Sequence, residues 1–200
     1  HFLEKKRAIG VRLADGSEVR SNHVISNADP DVTFQQLVGP ENLSSGLRKK
    51  LAKTRYSVSA ISLFLATDMD IRAAGMDSGN FWYYENADIE GIYRKGMTSW
   101  GPEVGRIPGL FLTATTLKDP TKPAKGHHTL EAFAFVSYDA FRAWAHTHYG
   151  ERPADYESMK RDLTERVIET VDRMVPGVRD RIVFRELGTP LTNVYYVAAT

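Results

Sequence analysis

The residues that could bind a metal or attack a substrate are few and poorly spaced for that chemistry. The chain has six histidines and no cysteine. His127 and His128 are adjacent, and His146 and His148 are two positions apart. Neither spacing gives the usual pairing of two imidazoles toward one metal ion. We therefore predict no metal site, and the lack of cysteine excludes disulfide and thiol chemistry.

The sequence also lacks the common cofactor and nucleophile motifs. It contains neither the glycine-rich G-x-G-x-x-G pattern nor a Walker A pattern, which are the usual phosphate cradles. The G-x-S-x-G turn that exposes a nucleophilic serine is absent as well. The chain on its own is therefore not expected to bind a dinucleotide by the usual βαβ route.

A polar corner follows a short apolar run in VISNADPDVT, which spans residues 24–33. Asn and Asp side chains suit turns and helix N-caps, and Pro30 suits the first position of a helix through Phe34 and Leu37. The corner is therefore either an ordinary connection from strand to helix or a place where the chain faces a ligand. Local sequence leaves both interpretations open.

Aromatic side chains are concentrated in one stretch, which includes Trp82, Tyr84 and Trp100. The simplest interpretation is a hydrophobic core. The alternative is an apolar cavity for a hydrophobic ligand. No basic patch is interleaved with these rings, so stacking on nucleic-acid bases is disfavoured.

Alternating apolar patterns predict the elements that would position these residues. Residues 9–25 form a predicted β-hairpin around Asp15-Gly16, and residues 56–67 a buried central strand. The clearest helix covers residues 155–175, with apolar positions at spacings of three and four and Asp155 as its cap. Further strands are predicted at 80–84, 109–117, 128–136 and 182–187, with helical segments at 41–53, 87–97 and 138–149. This order predicts an α/β or α+β domain with a mixed, partly antiparallel sheet and helices on one face.

The other face of that sheet is the predicted site. Residues 56–67, 111–115 and 128–136 are expected to be neighbouring strands, with small side chains leaving room beside Trp82 and Tyr84. The alternative is that helices fill this face and the small residues only permit close packing. His128 begins a strand and is interpreted as structural or pocket-lining. The small residues are Ser57, Ser59, Thr113, Thr115, Ala132 and Ala134.

Composition limits the function classes. The 42% hydrophobic and 26% charged residues are typical of a globular protein, and the net charge is only +1. No nucleic-acid partner is expected, and no apolar stretch is long enough to span a bilayer. We expect a cytoplasmic protein, with peripheral membrane association of a full-length form left open. The chain begins with His1 rather than Met, so we expect an internal piece of a longer protein.

Three segments resemble the phytoene (carotenoid) desaturase-like flavoproteins, which include carotenoid isomerases and retinol saturases. GVRLADGSEVRSNHVISNADP is similar to a family hairpin and strand that end in N-A-D-P. TLKDPTKPAKGHHTLEAFAFV resembles the D-P-s-x-a-P-x-G-x-H-t segment. VPGVRDRI and GTPLTNVYYV resemble the final P-G-l-x-d-x-I and T-P-l-T segments. The resemblance covers nearly the whole chain.

The resemblance implies a domain division and a cofactor. Residues 1–30 would be a remnant of an FAD-binding domain, and residues 31–200 a substrate-binding domain. A full-length relative would use FAD to oxidise, reduce or isomerise an extended apolar, polyene-like or isoprenoid-like substrate. The cofactor-binding residues implied are Asn27, Ala28, Asp29, Pro30, Thr189, Pro190 and Thr192. The substrate-binding residues predicted with them are Trp82, Tyr84, Thr113, Thr115, His128, Ala132 and Ala134.

Two alternatives remain at this stage. A flavin amine oxidase shares the broad architecture implied by the resemblance. A hydrophobic-ligand binding or interaction module without redox chemistry would also use an aromatic sheet face. No catalytic acid or base stands out in the sequence, and the substrate, the direction of reaction and the oligomeric state are not readable from it.

Overall fold

The structure is a computed structural model that describes residues 2–98, 105–119, 121–122 and 125–197. The chain divides into two compact units. The first comprises the described residues up to Tyr56 together with those from Val194 onward, and the second covers residues 57–193. The predicted division at residue 30, between an FAD-domain remnant and a substrate-binding domain, concerns function rather than compactness and stays a prediction.

The first unit begins with a small antiparallel sheet. Its strands are β1 (Phe2–Glu4), β2 (Arg7–Arg12) and β3 (Glu18–Arg20), in the order β1-β2-β3. The turn at Asp15-Gly16 is confirmed, and Gly16 adopts the positive φ of 87° that favours glycine. The second strand is shorter than predicted. Residues 21–29 form no strand, and Ile25 is 94% exposed, because the described residues supply no neighbouring strand to pair with that segment.

Helical segments follow the polar corner. A helical turn at Pro30 and Asp31 leads into a π-helix at Val32–Val38, followed by a 3₁₀ helix at Pro40–Asn42 and helix α1 at Ser45–Leu51. Ser44 caps α1 by accepting a hydrogen bond from the backbone N–H of Leu47. The predicted helix at 41–53 is therefore confirmed, with a later start.

A five-stranded antiparallel sheet dominates the second unit. Its strands are β4 (Ser59–Thr67), β5 (Asn80–Tyr84), β6 (Gly109–Ala114), β7 (His128–Val136) and β8 (Ile182–Gly188). Their order is β5-β6-β7-β4-β8, and every neighbouring pair is antiparallel. The prediction that β6, β7 and β4 are neighbours is confirmed.

The helices of this unit are α2 (Ile89–Thr98), α3 (Thr115–Lys118), a 3₁₀ helix (Tyr138–Trp144) and α4 (Ala154–Met174). Helix α5 (Pro190–Val197) begins in this unit, and its residues from Val194 onward are assigned to the first unit. The strand predicted to continue to residue 117 instead ends at Ala114, where α3 begins. The cap predicted at Asp155 is wrong, because Asp155 lies inside α4 and Pro153 occupies the N-cap position. Among the described residues, no helix is long and apolar enough to cross a membrane.

The core lies between one face of the sheet and helix α4. Leu163, Val167, Ile168 and Val171 on α4 are at most 1% exposed and cluster with the apolar side chains of one sheet face. Period-2 alternation puts every second strand residue on this core face. Its members on β4, β6 and β7 are Ile61, Leu63, Leu65, Leu110, Leu112, Ala114, Leu130, Ala132, Ala134 and Val136. The predicted α+β class is confirmed.

Candidate functional site

The open face is the side of the sheet opposite the core face, and aromatic side chains cover its centre. Residues directly opposite each other in antiparallel strands point to the same face. Trp82 is opposite Phe111, which is opposite Phe133. We call this line of cross-strand neighbours the aromatic row; it continues through Ser62 on β4 to Gly188 on β8.

The rings of this region form one continuous network. The ring centroids of Phe111 and Phe133 are 4.7 Å apart in a stacked arrangement, and Trp82 packs edge-on against both rings at 5.1 and 5.8 Å. Tyr84 and Phe135 extend the network, and Tyr93 of α2 joins it at 5.0 Å from Phe135. These separations are in the favourable range for aromatic pairs. Helix α2 therefore covers one end of the open face.

The network packs tightly but stays accessible from outside. The crevice among these rings has a volume of only about 10 Å³. Trp82 is nevertheless 47% exposed. Burial raises the pKa of Tyr84, and its interaction with Tyr93 adds to the effect, so Tyr84 stays a neutral phenol. A ligand would lie on these rings rather than enter between them.

A second row, two residues further along each strand, is polar. Asn80 is opposite Thr113, and Thr113 is opposite Glu131. We call this line the polar row; it continues through Phe64 on β4 to Glu186 on β8. Lys118 of α3 donates a hydrogen bond from Nζ to Oδ1 of Asn80. The open face therefore changes from aromatic to polar within one row.

A groove of about 380 Å³ borders the polar row. Phe64 and Phe184 line it with 44% and 56% exposure, and threonine and charged side chains complete it. Thr115 and Thr129 share a hydrogen bond of 2.6 Å between their hydroxyls at this end of the sheet. The groove thus combines apolar walls with polar groups.

The structure separates the small residues that the sequence places on one face. Thr113 lies on the open face, whereas Ala132 and Ala134 lie on the core face and are 2% exposed. The prediction that the two alanines line a cavity face beside Thr113 is therefore wrong as a statement about geometry. Ala132 is opposite Leu63 and Ala134 is opposite Ile61, and small side chains here permit close packing in the core.

Of the other predicted substrate-binding residues, Trp82 and Tyr84 lie on the open face, whereas His128 is opposite Thr67 and alternates with Leu130 onto the core side of β7. Trp82 and Tyr84 belong to the aromatic network. Thr115 opens α3 rather than continuing β6, and it lines the groove. His128 begins β7, and its Nδ1 is 3.2 Å from the hydroxyl of Thr116. Whether His128 has a structural role or lines a pocket stays a prediction.

The polar corner at residues 27–30 has a clear structural role. Asp29 accepts a hydrogen bond from the backbone N–H of Asp31 at 2.7 Å, so its carboxylate caps the helical segment that starts at Pro30. Asp29 also accepts one from the hydroxyl of Tyr56 at 3.0 Å. Asn27 and Ala28 are exposed. The local turn is thus established, and cofactor contact by these residues stays a prediction.

The segment from Thr189 to Thr192 starts helix α5. Thr189 precedes Pro190, the first residue of the helix, and its backbone N–H donates to the hydroxyl of Thr192 at 3.0 Å. This is one half of a capping box. The side chain of Thr189 is fully buried and pairs with the hydroxyl of Tyr156. The motif therefore has a folding role, and its cofactor contact also stays a prediction.

Sequence reasoning missed several members of the site. Phe111, Phe133 and Phe135 alternate with the core residues of β6 and β7 and supply half of the ring network. Period-2 alternation within GLFLTA and HTLEAFAFV could have identified them, because it puts Phe111 and Phe133 on the face opposite Leu112 and Ala132. Among the described residues, no three His, Asp or Glu side chains form a group that could hold a metal ion.

Comparison with known proteins finds similar sequences among retinol reductases and prolycopene isomerases. No family model matches the chain. An all-trans-retinol 13,14-reductase from Danio rerio is 29% identical over 206 residues, which cover 98% of this chain and 33% of that protein. The human all-trans-retinol 13,14-reductase is 26% identical, with 96% of this chain and 33% of that protein covered. A chloroplastic prolycopene isomerase from Arabidopsis thaliana is 27% identical, with 98% and 30% covered.

A solved structure shares the fold. The crystal structure of an oxidoreductase from Methanosarcina mazei matches with a TM-score of 0.55 and 19% sequence identity, covering 95% of this chain and 36% of that one. The chain spans about a third of the length of the curated relatives it matches.

The fold and the open face together place the chain in a structural class. It is an α+β domain whose sheet packs against helix α4 on one side and carries aromatic rings on the other. The similar proteins then indicate which family the chain resembles. The chain is similar over nearly its whole length to retinol reductases and prolycopene isomerases. The resemblance to the carotenoid desaturase-like oxidoreductases is thereby confirmed.

Proposed function

We propose that this chain is the substrate-binding part of a longer FAD-dependent oxidoreductase that acts on an extended apolar substrate. The open face carries this proposal, because its aromatic network offers a continuous apolar surface across β5, β6 and β7. The named activities of the relatives, reduction of retinol and isomerisation of prolycopene, involve polyenes of that kind.

Shape and apolar area would dominate such binding. Covering about 300 Å² of apolar surface contributes about 7 kcal/mol before the cost of ordering the ligand. An extended ligand along the aromatic row would meet Trp82, Phe111 and Phe133 in succession. Since the crevice among the rings holds only about 10 Å³, the ligand needs a second wall, which the remainder of the protein would supply.

The cofactor requires more than this chain provides. The described residues contain no glycine-rich phosphate cradle, so they do not form a complete FAD site. Asp29 and Thr189 already use their polar groups to cap helices. We propose that residues 27–30 and the Thr189, Pro190 and Thr192 segment contribute only edge contacts to FAD. When bound, FAD supplies hydride-transfer chemistry, while this chain positions the substrate and excludes water.

A binding experiment on the full-length protein that carries this chain tests the proposal. Trp82→Ala and Phe133→Ala should each weaken the binding of a conjugated polyene about tenfold or more, because each removes a large apolar contact. Equilibrium dialysis gives the dissociation constant, and flavin absorbance gives the FAD content. Flavin content should stay unchanged in both variants.

Tyr149→Ala is the matched control. Tyr149 is 45% exposed, close to the value for Trp82, but it lies outside the sheet. Polyene affinity that falls equally in all three variants would contradict a site on the open face. Binding of the polyene by a protein without any flavin would instead favour the hydrophobic-ligand module.

A further inference from the structure

Positive charge is concentrated in one short segment of the chain. Five cations lie between residues 48 and 55, and no acidic residue occurs between Glu41 and Asp68. The chain as a whole is balanced, with 26 Lys and Arg residues against 25 Asp and Glu residues. We call this group of cations the basic segment; its members are Arg48, Lys49, Lys50, Lys53 and Arg55.

The basic segment is exposed and has no acidic partner. All five of its residues are exposed, and within the part of the chain that the structure describes none of them forms an ion pair. Helix α4 differs, because Arg166 and Arg173 each pair with a carboxylate four residues earlier. The charge of the basic segment is therefore available to a partner.

Helix stability accounts for only part of this charge. Three members of the basic segment lie in the last turn of α1, where cations complement the partial negative charge of the helix C-terminus. Lys53 and Arg55 lie beyond Ala52, the C-cap residue, so they do not have this role. A surface that only solvates a protein commonly mixes the two signs of charge. The separation of charge in this segment points instead to an anionic partner.

The class of substrate favours a lipid surface as that partner. We propose that the basic segment docks the protein on the anionic headgroups of a lipid bilayer. This rests on the proposed function, because an extended apolar substrate dissolves in the acyl chains of a bilayer far better than in water. Clusters of about four to eight Lys and Arg residues bind anionic lipids in this way. Tyr56, which directly follows the segment and is 53% exposed, is a residue type enriched at membrane interfaces.

Vesicle binding by the full-length protein that carries this chain tests the docking surface. Cosedimentation gives the dissociation constant for vesicles of equal amounts of phosphatidylcholine and phosphatidylserine, and for vesicles of phosphatidylcholine alone. The mixed vesicles should bind the protein about tenfold more tightly or better, and about 0.5 M salt should remove that difference by screening. Arg48→Gln combined with Arg55→Gln removes two charges and should weaken binding to the mixed vesicles about tenfold or more. Equal binding of the wild-type protein to both kinds of vesicle would overturn the proposal.

Arg72→Gln combined with Arg161→Gln is the matched control. Both arginines are exposed and lie outside the basic segment. This variant has the same net charge as the first one, and its affinity for the mixed vesicles should equal that of the wild type. An equal loss of affinity in both variants would show that net charge attracts the protein to the bilayer, and would overturn the role of the basic segment.

Two further measurements separate the alternatives. Wild-type protein that binds a DNA duplex but not the mixed vesicles would overturn the assignment of a lipid partner. Polyene affinity, measured by equilibrium dialysis without vesicles, should be the same in the wild type and both variants. Wild-type protein that binds the polyene but no vesicles would overturn the docking surface alone, whereas protein that binds vesicles but no polyene would overturn the proposed function.

Discussion

The hydroxyl groups of Tyr156 and Thr189 lie 2.7 Å apart, and the two residues are 2% and 0% exposed. This contact joins the first turn of the long helix α4 to the residue that caps α5. Arg152 adds to the junction, since its guanidinium lies 4.9 Å above the ring of Tyr156 and its Nη2 donates to the carbonyl of Leu191. The segment from Thr189 to Thr192, which resembles a cofactor segment of the family, thus also connects α5 to the start of α4.

Tyr156→Phe should destabilise the protein by about 1–3 kcal/mol, because it removes a buried partner from the Thr189 hydroxyl. Urea denaturation followed by circular dichroism measures the free energy of unfolding. Tyr138→Phe removes the same atom from a half-buried tyrosine of the 3₁₀ helix and serves as the control. Equal effects in the two variants would show that the buried pair contributes nothing specific.

The assignment of residues to the two sheet faces predicts that enlarging a side chain destabilises the protein on the core face and has little effect on the open face. Ala134→Leu overpacks the core face and should cost about 1–3 kcal/mol of stability. Ser62→Val, on the open face opposite Phe133, should change stability by less than about 0.5 kcal/mol. The same denaturation measurement decides. If Ala134→Leu is tolerated and Ser62→Val is not, the face assignment is inverted.

Acid should weaken the connection between the end of β4 and the start of β8. The Arg181 guanidinium hydrogen-bonds the Asp68 carboxylate at 2.7 Å and lowers the pKa of that carboxyl. Because the folded-state pKa is the lower one, the stabilisation is complete above about pH 4 and disappears as the pH falls through the lowered pKa. The melting temperatures of wild type and Asp68→Asn should therefore converge on acidification. A constant difference between them down to pH 2 would exclude this pair as the cause.

Hydrogen exchange should distinguish the small sheet from the large one. Strand β2 lies in the three-stranded sheet, and Gly10 is its one buried residue. Strand β4 lies inside the five-stranded sheet and contributes Ile61, Leu63 and Leu65 to the core. Amides of β2 should exchange well before those of β4. Equal protection of the two strands would argue that the N-terminal residues are packed as firmly as the five-stranded sheet.

The 200-residue chain alone should not bind FAD, because it lacks the phosphate-binding glycines. The purified chain should be colourless, and titrating FAD with it should leave the flavin fluorescence unchanged. The full-length protein, measured in parallel, is the positive control. A stoichiometric yellow complex of the short chain would contradict the prediction.

The sequence was a good guide to elements whose pattern is local. Strands β5 and β7 have the predicted bounds, because alternation and flanking turn residues define each of them. Prediction from the sequence failed where an element depends on a neighbouring strand. Val24 and Ile25 are apolar enough for a strand but find no neighbouring strand among the described residues. The strand beginning at Gly109 ends early because α3 starts at Thr115.

The sequence by itself determined the class of protein: an α+β domain with an aromatic sheet and segments that resemble carotenoid desaturase-like flavoproteins. Alternation along a strand separates its two faces, but only the tertiary structure decided which face of each strand packs against α4. Ala134 and Thr113 are both small and both lie on central strands, yet one is pressed against the core and the other faces the open side. Cross-strand register and the position of α4 set that difference, and both depend on contacts between residues far apart in the chain.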